Sequence, residues 1–236
     1  MPEQQIHILS TKELDPQYVA LADENGIVID RVNFIQTIAR DNESDGALIR
    51  QIATTENTVV FTSANAVYAV ADSLEDKQPL WNVYCMEGKT TAAVKEQLPG
   101  VRIIGKAPDA TTLAEKIIAD NINGPLYFFC GNLRMDDLPA YMRKAGVQLT
   151  EIVVYETILT PVKINRYYDG IIFYSPSGVS SFFMENSTTD DVTFFTIGAT
   201  TAKTLSNFMN ETVISPKPDI NTLVQTIINY YKHKQT

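Results

Sequence analysis

Phe61-Thr62-Ser63-Ala64-Asn65-Ala66-Val67 returns 112 positions later as Phe173-Tyr174-Ser175-Pro176-Ser177-Gly178-Val179. Each copy is an apolar run, a hydroxyl-bearing turn and the start of a helical pattern. Further out, Gly88-Lys89-Thr90-Thr91-Ala92 resembles Gly198-Ala199-Thr200-Thr201-Ala202, 110 positions on. Pro108-Asp109-Ala110-Thr111-Thr112-Leu113 resembles Pro218-Asp219-Ile220-Asn221-Thr222-Leu223 at that same spacing. Three matches in one order at nearly constant distance mark a duplicated unit.

A fourth match breaks the spacing and sets the connectivity. The apolar run Leu126 to Cys130, followed by Gly131-Asn132-Leu133-Arg134 and a helical pattern from Leu138, has no downstream counterpart. Its partner is at the start of the chain, where Ile6 to Leu9 runs into Ser10-Thr11-Lys12 and a helix near Gln17. The second copy is therefore completed by the N-terminal strand. We expect a discontinuous domain from residues 1–33 and 161–236, and a continuous one from 37–156.

Short apolar runs at Thr58 to Phe61, Val83 to Met86, Val101 to Ile104, Leu126 to Phe129, Gly170 to Tyr174, Val192 to Ile197 and Thr212 to Ile214 are each followed by polar turn residues. Most then enter a helical pattern. Runs without strict alternation suit strands covered on both faces, hence parallel sheets in an α/β protein. The helix at Ala64 to Leu74 places Val67, Val70, Ala71 and Leu74 on one side. Two crossings between domains fall near 31–37 and 151–160, where Val32-Asn33-Phe34-Ile35 and Ile152-Val153-Val154-Tyr155 favour β structure. These predict a two-stranded antiparallel linker, a semi-flexible hinge over a cleft.

The 236 residues carry a net charge of −9, which argues against duplex nucleic acid as partner because phosphate neutralisation needs clustered cations. No apolar run approaches bilayer length, and no export signal is visible, so a cytoplasmic monomer away from membranes is expected. Cys85 and Cys130 sit in apolar runs and read as buried free thiols. His7 and His233 lie near opposite ends, and no Cys/His/Asp spacing fits a metal; neither metal nor cofactor is expected. Gly88-Lys89-Thr90 lacks the upstream glycine spacing of a phosphate loop, and no nucleophile–base pair is evident.

In open parallel sheets ligands bind beyond the carboxyl ends of the strands. The turns there hold Thr62, Ser63 and Asn65; Gly88, Lys89 and Thr91; Gly131, Asn132 and Arg134; Ser175, Ser177 and Gly178; and Gly198, Thr200 and Thr201. Such residues cap helices, and for any one of them capping alone is a sufficient explanation. Many together on one edge leave helix N-termini open to anions. An acidic chain can thus hold a polyanion through backbone N–H groups, helped by Lys89, Arg134, Lys12 and Lys203. Tyr155, on the expected linker, is either a packing aromatic or a phenol that donates a proton.

Cys130-Gly131-Asn132-Leu133-Arg134, with Leu138-Pro139, Gly146 and Val154-Tyr155-Glu156-Thr157, resembles the central signature of the uroporphyrinogen-III synthases. Phe173 to Val179 and Ile197 to Ala202 are similar to the C-terminal signatures, and Val60 to Ser63 with Ala66-Val67 to the N-terminal one. The similarity covers about residues 58–225. One departure is Ser10-Thr11-Lys12, where many members carry Thr-Arg after the first strand.

The resemblance implies two flavodoxin-like domains joined by a two-stranded ladder. It implies a lyase of haem and tetrapyrrole biosynthesis that cyclises hydroxymethylbilane without cofactor. Water is lost, and ring D inverts through a spiro intermediate. Tyr155 matches the signature tyrosine proposed to assist departure of the hydroxyl. Ser63, Thr91, Ser175, Ser177, Thr200 and Thr201 match carboxylate-holding positions. The alternative from another class is a non-catalytic, two-lobed binding or sensor protein for a small polyanion.

Overall fold

Polar caps and glycines divide the chain into elements at the places its turns suggest. Asp15, Asn42, Ser63, Asp109 and Ser175 each accept a hydrogen bond from a first-turn N–H of the helix that follows. The computed structural model describes residues 5–40, 42–75, 77–187 and 191–234.

In chain order the first half comprises β1 (Ile6–Ser10), α1 (Pro16–Asp23), β2 (Ile27–Arg31), β3 (Ile35–Ala39), α2 (Glu43–Ile52), β4 (Asn57–Phe61), α3 (Ala64–Leu74), β5 (Trp81–Met86), α4 (Lys89–Gln97) and β6 (Arg102–Ala107). Then follow α5 (Ala110–Ala119), β7 (Leu126–Gly131), α6 (Asp137–Lys144), β8 (Thr150–Leu159), β9 (Gly170–Phe173), α7 (Pro176–Glu185), β10 (Thr193–Thr196), α8 (Ala199–Leu205), β11 (Val213–Ile214) and α9 (Ile220–Lys234).

Two compact units result, one from Met1–Gln36 with Ile158–Thr236, the other from Thr37–Thr157. The discontinuous unit holds the sheet β11-β10-β9-β1-β2, parallel throughout. Its core fills both faces. Ile8, Ile172 and Phe195 meet α9 on one face, and Leu9, Phe173 and Phe194 meet α7 on the other.

The continuous unit holds β3-β8-β7-β4-β5-β6. From β8 to β6 every pairing is parallel. At the edge, Arg40 N–H bonds the Val154 carbonyl and Thr160 N–H bonds that of Phe34, so β3 and β8 run antiparallel.

Both parallel sheets have the flavodoxin-like order, with β7 of the continuous unit in the place of β1 and β4 in the place of β9. Covered faces explain why these strands are continuous apolar runs. Val59, Phe61, Val83, Cys85 and Phe129 fill one side of the larger sheet, and Val60, Tyr84, Phe128 and Cys130 the other.

The linker differs from its sequence expectation in one detail. Val32 to Phe34 is irregular, and β3 begins only at Ile35. Phe34 is fully buried in the core with Leu9 and Phe173, its ring 5.3 Å from that of Phe182. The N–H groups of Val32 and Phe34 bond the carbonyls of Ser10 and Thr11, while the Phe34 carbonyl still accepts from Thr160. No described helix is long and apolar enough to cross a membrane.

Candidate functional site

In each sheet the chain order reverses between two central strands, β1 and β9 in one unit and β7 and β4 in the other. Past the carboxyl ends of such a pair the connections leave in opposite directions and open a crevice.

In the discontinuous unit this place is occupied by Ser10, Thr11, Tyr174, Ser175 and Gly178. Ser10 Oγ donates to the Lys12 carbonyl at 2.7 Å and lies 3.0 Å from the Tyr174 hydroxyl. With its one proton committed, Ser10 accepts from Tyr174, whose phenol is raised well above 10.0, chiefly by burial. Lys12 Nζ stands 4.3 Å from the centre of the Tyr174 ring. Ser175 accepts from Gly178 N–H at 3.1 Å and contacts Ser177 Oγ at 3.1 Å. Gly198 opens α8 without a side-chain cap.

In the continuous unit Ser63 caps α3 by accepting from Asn65 N–H at 3.2 Å. Gly88 opens α4, again with no side-chain cap, at φ 73°. A positive φ favours glycine. Capless helix starts thus recur at corresponding places, leaving first-turn N–H groups open there. Lys89, the first residue of α4, is exposed.

Tyr155 arrives from β8, two strands away from β4. Its phenol is raised above 10.0 first by burial, and a hydrogen bond from Ser63 works against that rise. The ring lies across Gly131, where a Cβ would come 2.4 Å from Cζ and 2.8 Å from the phenol oxygen. Beside it, a groove of about 770 Å³ runs along α3, lined by Thr37, Asn65, Tyr68, Asp72, Glu75 and Gln97 among others. Sequence reading singles out only Asn65 and Tyr155 of these. The signal was there: Asn65, Tyr68 and Asp72 share the α3 face opposite Val67, Val70 and Leu74.

The remaining candidates divide. Thr62 and Ser177 are half-buried, and Thr200 is exposed. Thr91 and Thr201 are buried, and Thr91 Oγ1 donates inward to the Met86 carbonyl at 2.8 Å. Arg134 is held by Glu151 and by Asp136. Asn132 turns its side chain to Thr157. Among the described residues no group of His, Cys, Asp and Glu is arranged to hold a metal.

Residues 16–225 match the family model described as uroporphyrinogen-III synthase HemD. The chain belongs to the uroporphyrinogen-III synthase family. A uroporphyrinogen-III synthase of Saccharomyces cerevisiae is 24% identical over 260 aligned residues, covering 95% of this chain and 90% of the yeast protein.

Among solved structures, the uroporphyrinogen-III synthetase of Helicobacter pylori 26695 superposes with a TM-score of 0.69 at 17% identity, over 95% of this chain and 99% of that one. A mutant uroporphyrinogen III synthase of the extremely thermophilic bacterium Thermus thermophilus gives 0.70 at 14%, over 98% and 99%. These structures share the two-sheet fold. The family brings its activity, a hydro-lyase step of tetrapyrrole biosynthesis, and this sets aside the binding-protein alternative.

Proposed function

We propose that this chain closes hydroxymethylbilane to uroporphyrinogen III, with Tyr155 as proton donor to the departing hydroxyl. The observation that carries the reading is the placement of Tyr155, whose ring lies across Gly131 and lines the groove along α3. Ser63 Oγ accepts from Asn65 N–H, and its hydrogen bond with the phenol works against the rise that burial imposes. Tyr174, the other tyrosine at a strand-order reversal, gives its proton to Ser10 and is a poor donor to anything else.

Transfer of the Tyr155 proton to the hydroxymethyl oxygen releases water and leaves an azafulvenium cation, its pyrrole N–H retained, beside a phenolate. The azafulvenium carbon bonds to the substituted carbon of ring D, forming the spiro centre and passing the positive charge to that ring. Fragmentation and reclosure invert that ring. The proton lost when the last pyrrole regains aromaticity returns to the phenolate, so the net loss is water.

Asp72 and Glu75 line the groove beside Tyr155 and suit pyrrole N–H groups and a passing positive charge. Substrate carboxylates are better served by the open N–H groups at Gly88 and Gly198, with Lys89, Thr62, Ser175, Ser177, Gly178 and Thr200 around them. Buried Thr91 and Thr201 contribute by fixing the helix starts. Folding one flexible chain into a single closure geometry is the larger part of the task.

Freshly generated hydroxymethylbilane is mixed with protein, oxidised, and resolved into isomers I and III. Type III is expected from the wild type. Removing one general acid costs about 100-fold or more, so Tyr155→Phe is expected to slow turnover by that factor while still yielding some type III. Undiminished turnover by that variant removes the assigned role.

A further inference from the structure

The turn Gly131-Asn132 sits where a substrate-binding loop is expected, yet its contacts are spent on one residue and its strand. The β7–β8 ladder slips between Cys130 and Gly131: Cys130 is opposite Val153, but Gly131 is opposite Tyr155. The extra residue, Val154, makes a β-bulge, and bulges re-aim side chains.

Its effect is visible in which core each side chain joins. Val153 lies with the Cys130 and Phe128 side of the sheet, whereas Val154 and Tyr155 both join the Phe61 and Phe129 side. Two consecutive strand residues share a face. Regular alternation would send Tyr155 to the other side, away from Ser63 and from the α3 groove.

Three features hold this arrangement. Gly131 leaves room for the ring, since any Cβ there would lie 2.4 Å from Cζ. Gly131 is not among the glycines with positive φ, so space, not backbone freedom, is what requires glycine. Asn132 N–H bonds the Tyr155 carbonyl at 3.2 Å, fixing the tyrosine's own peptide. Beyond it, Asn132 Oδ1 accepts from Thr157 N–H at 2.8 Å and Nδ2 donates to the Thr157 carbonyl at 3.4 Å. The side chain thus continues the ladder for β8 after the β7 backbone has turned away.

We infer that Gly131 and Asn132 are positioning residues that hold Tyr155 on the α3 side of the sheet, and are not themselves substrate contacts. This rests on Tyr155 being the proton donor proposed above.

The test is a set of double-mutant cycles in the full-length protein: Gly131→Ala, Asn132→Ala and Tyr155→Phe singly, then each of the first two combined with Tyr155→Phe. Displacing a reacting group by about 1 Å can cost on the order of 100-fold, so Gly131→Ala should approach the kcat of Tyr155→Phe with KM within about twofold. Asn132→Ala, which leaves the ring its space, should lose a smaller part of kcat. Each double variant should turn over no more slowly than Tyr155→Phe alone, because the donor is already gone.

Losses that multiply in the doubles, or a raised KM at near-normal kcat, assign these residues to substrate and overturn the inference. Asn132→Ala supplies this comparison even where Gly131→Ala does not fold. Melting adds an independent readout, because the destabilisation by Gly131→Ala should vanish in a Tyr155→Ala background; an undiminished loss there contradicts a steric cradle. The two failures are separable. Full turnover by Tyr155→Phe defeats the proton-donor reading, whereas a slow Tyr155→Phe beside a fast Gly131→Ala defeats only the positioning.

Discussion

Gly170 opens β9 at a point where three distant parts of the chain meet, so a single methyl group there tests the discontinuous unit directly. A Cβ at Gly170 would come 2.7 Å from Ile8 Cδ1, 2.7 Å from the Tyr231 hydroxyl and 3.0 Å from Phe195 Cε2. These belong to β1, α9 and β10. Ile8 and Phe195 have no exposed surface, and Tyr231 is anchored by donating to the Asp169 carbonyl at 2.8 Å, so little can yield.

Overpacking a filled core costs about 1–3 kcal/mol. Loss of the Tyr231 bond adds about 1 kcal/mol. Replacing a strand glycine returns about 0.5–1 kcal/mol. The net for Gly170→Ala is a destabilisation of about 1–3 kcal/mol, and at ~2–4 °C per kcal/mol for a chain of this size the midpoint falls by about 2–12 °C. Thermal unfolding followed by circular dichroism measures it. Ile8→Val trims the Cδ1 that the new methyl meets and should recover part of the loss in the double variant. Gly198→Ala is the control, since its backbone is extended and its nearest neighbour is Pro218 Cβ at 3.8 Å. Equal midpoints for Gly170→Ala and Gly198→Ala would refute the convergence of β1, β9, β10 and α9 on this point.

Thr91→Val should lower stability by about 1 kcal/mol through the lost bond to Met86, with KM for hydroxymethylbilane within about twofold of wild type; a large rise in KM would instead place the Thr91 hydroxyl on substrate. Cys130, raised to about 11 chiefly by burial and then by Glu151, should react with a maleimide at pH 8 at least about 100-fold more slowly in native protein than in denaturant, as mass spectrometry would show. Tyr168 is pushed up to about 12 by burial and by its hydrogen bond to Asp30. Its contribution to stability is whole below pH ~10, where an unfolded phenol starts to ionise, and is lost as pH rises to about 12. Urea midpoints at pH 9 and 11 should therefore fall less in Tyr168→Phe than in wild type, and an unchanged slope would contradict this.

The fold was legible because parallel strands covered on both faces are apolar throughout and each ends in a short polar turn. Phe61-Thr62-Ser63 and Phe173-Tyr174-Ser175 are such endings, and the same covered-strand physics made them look alike. The odd match of Ile6–Leu9 with Leu126–Cys130 was enough to show the interleaving, since β1 and β7 hold the same place in their sheets. What stayed hidden has local causes. The helix Glu43–Ile52 carries Ser44, Asp45 and Gly46 in its first turns, residues that weaken a helical signal. Val32 to Phe34 has strand-like composition, but its N–H groups bond the carbonyls of Ser10 and Thr11, and those are long-range contacts no local pattern reports.

The site was legible only as a set of residue types. Hydroxyl and glycine residues at strand ends announce open helix starts, but composition does not say which way a hydroxyl turns. Ser63 and Ser175 read alike, yet one meets the Tyr155 phenol and the other lies against Ser177. Tyr155 and Tyr174 also read alike, and only the fold sets one on the groove along α3 and the other against Ser10. The bulge is the clearest case. Val153-Val154-Tyr155 looks like regular β sequence, and regular alternation would put Tyr155 on the face opposite Val154. One unpaired residue reverses that, and the cause lies across the ladder at Gly131, some two dozen positions earlier in the chain. Where a reaction depends on which face of a sheet one phenol occupies, the decisive residue can be a glycine that never meets the substrate.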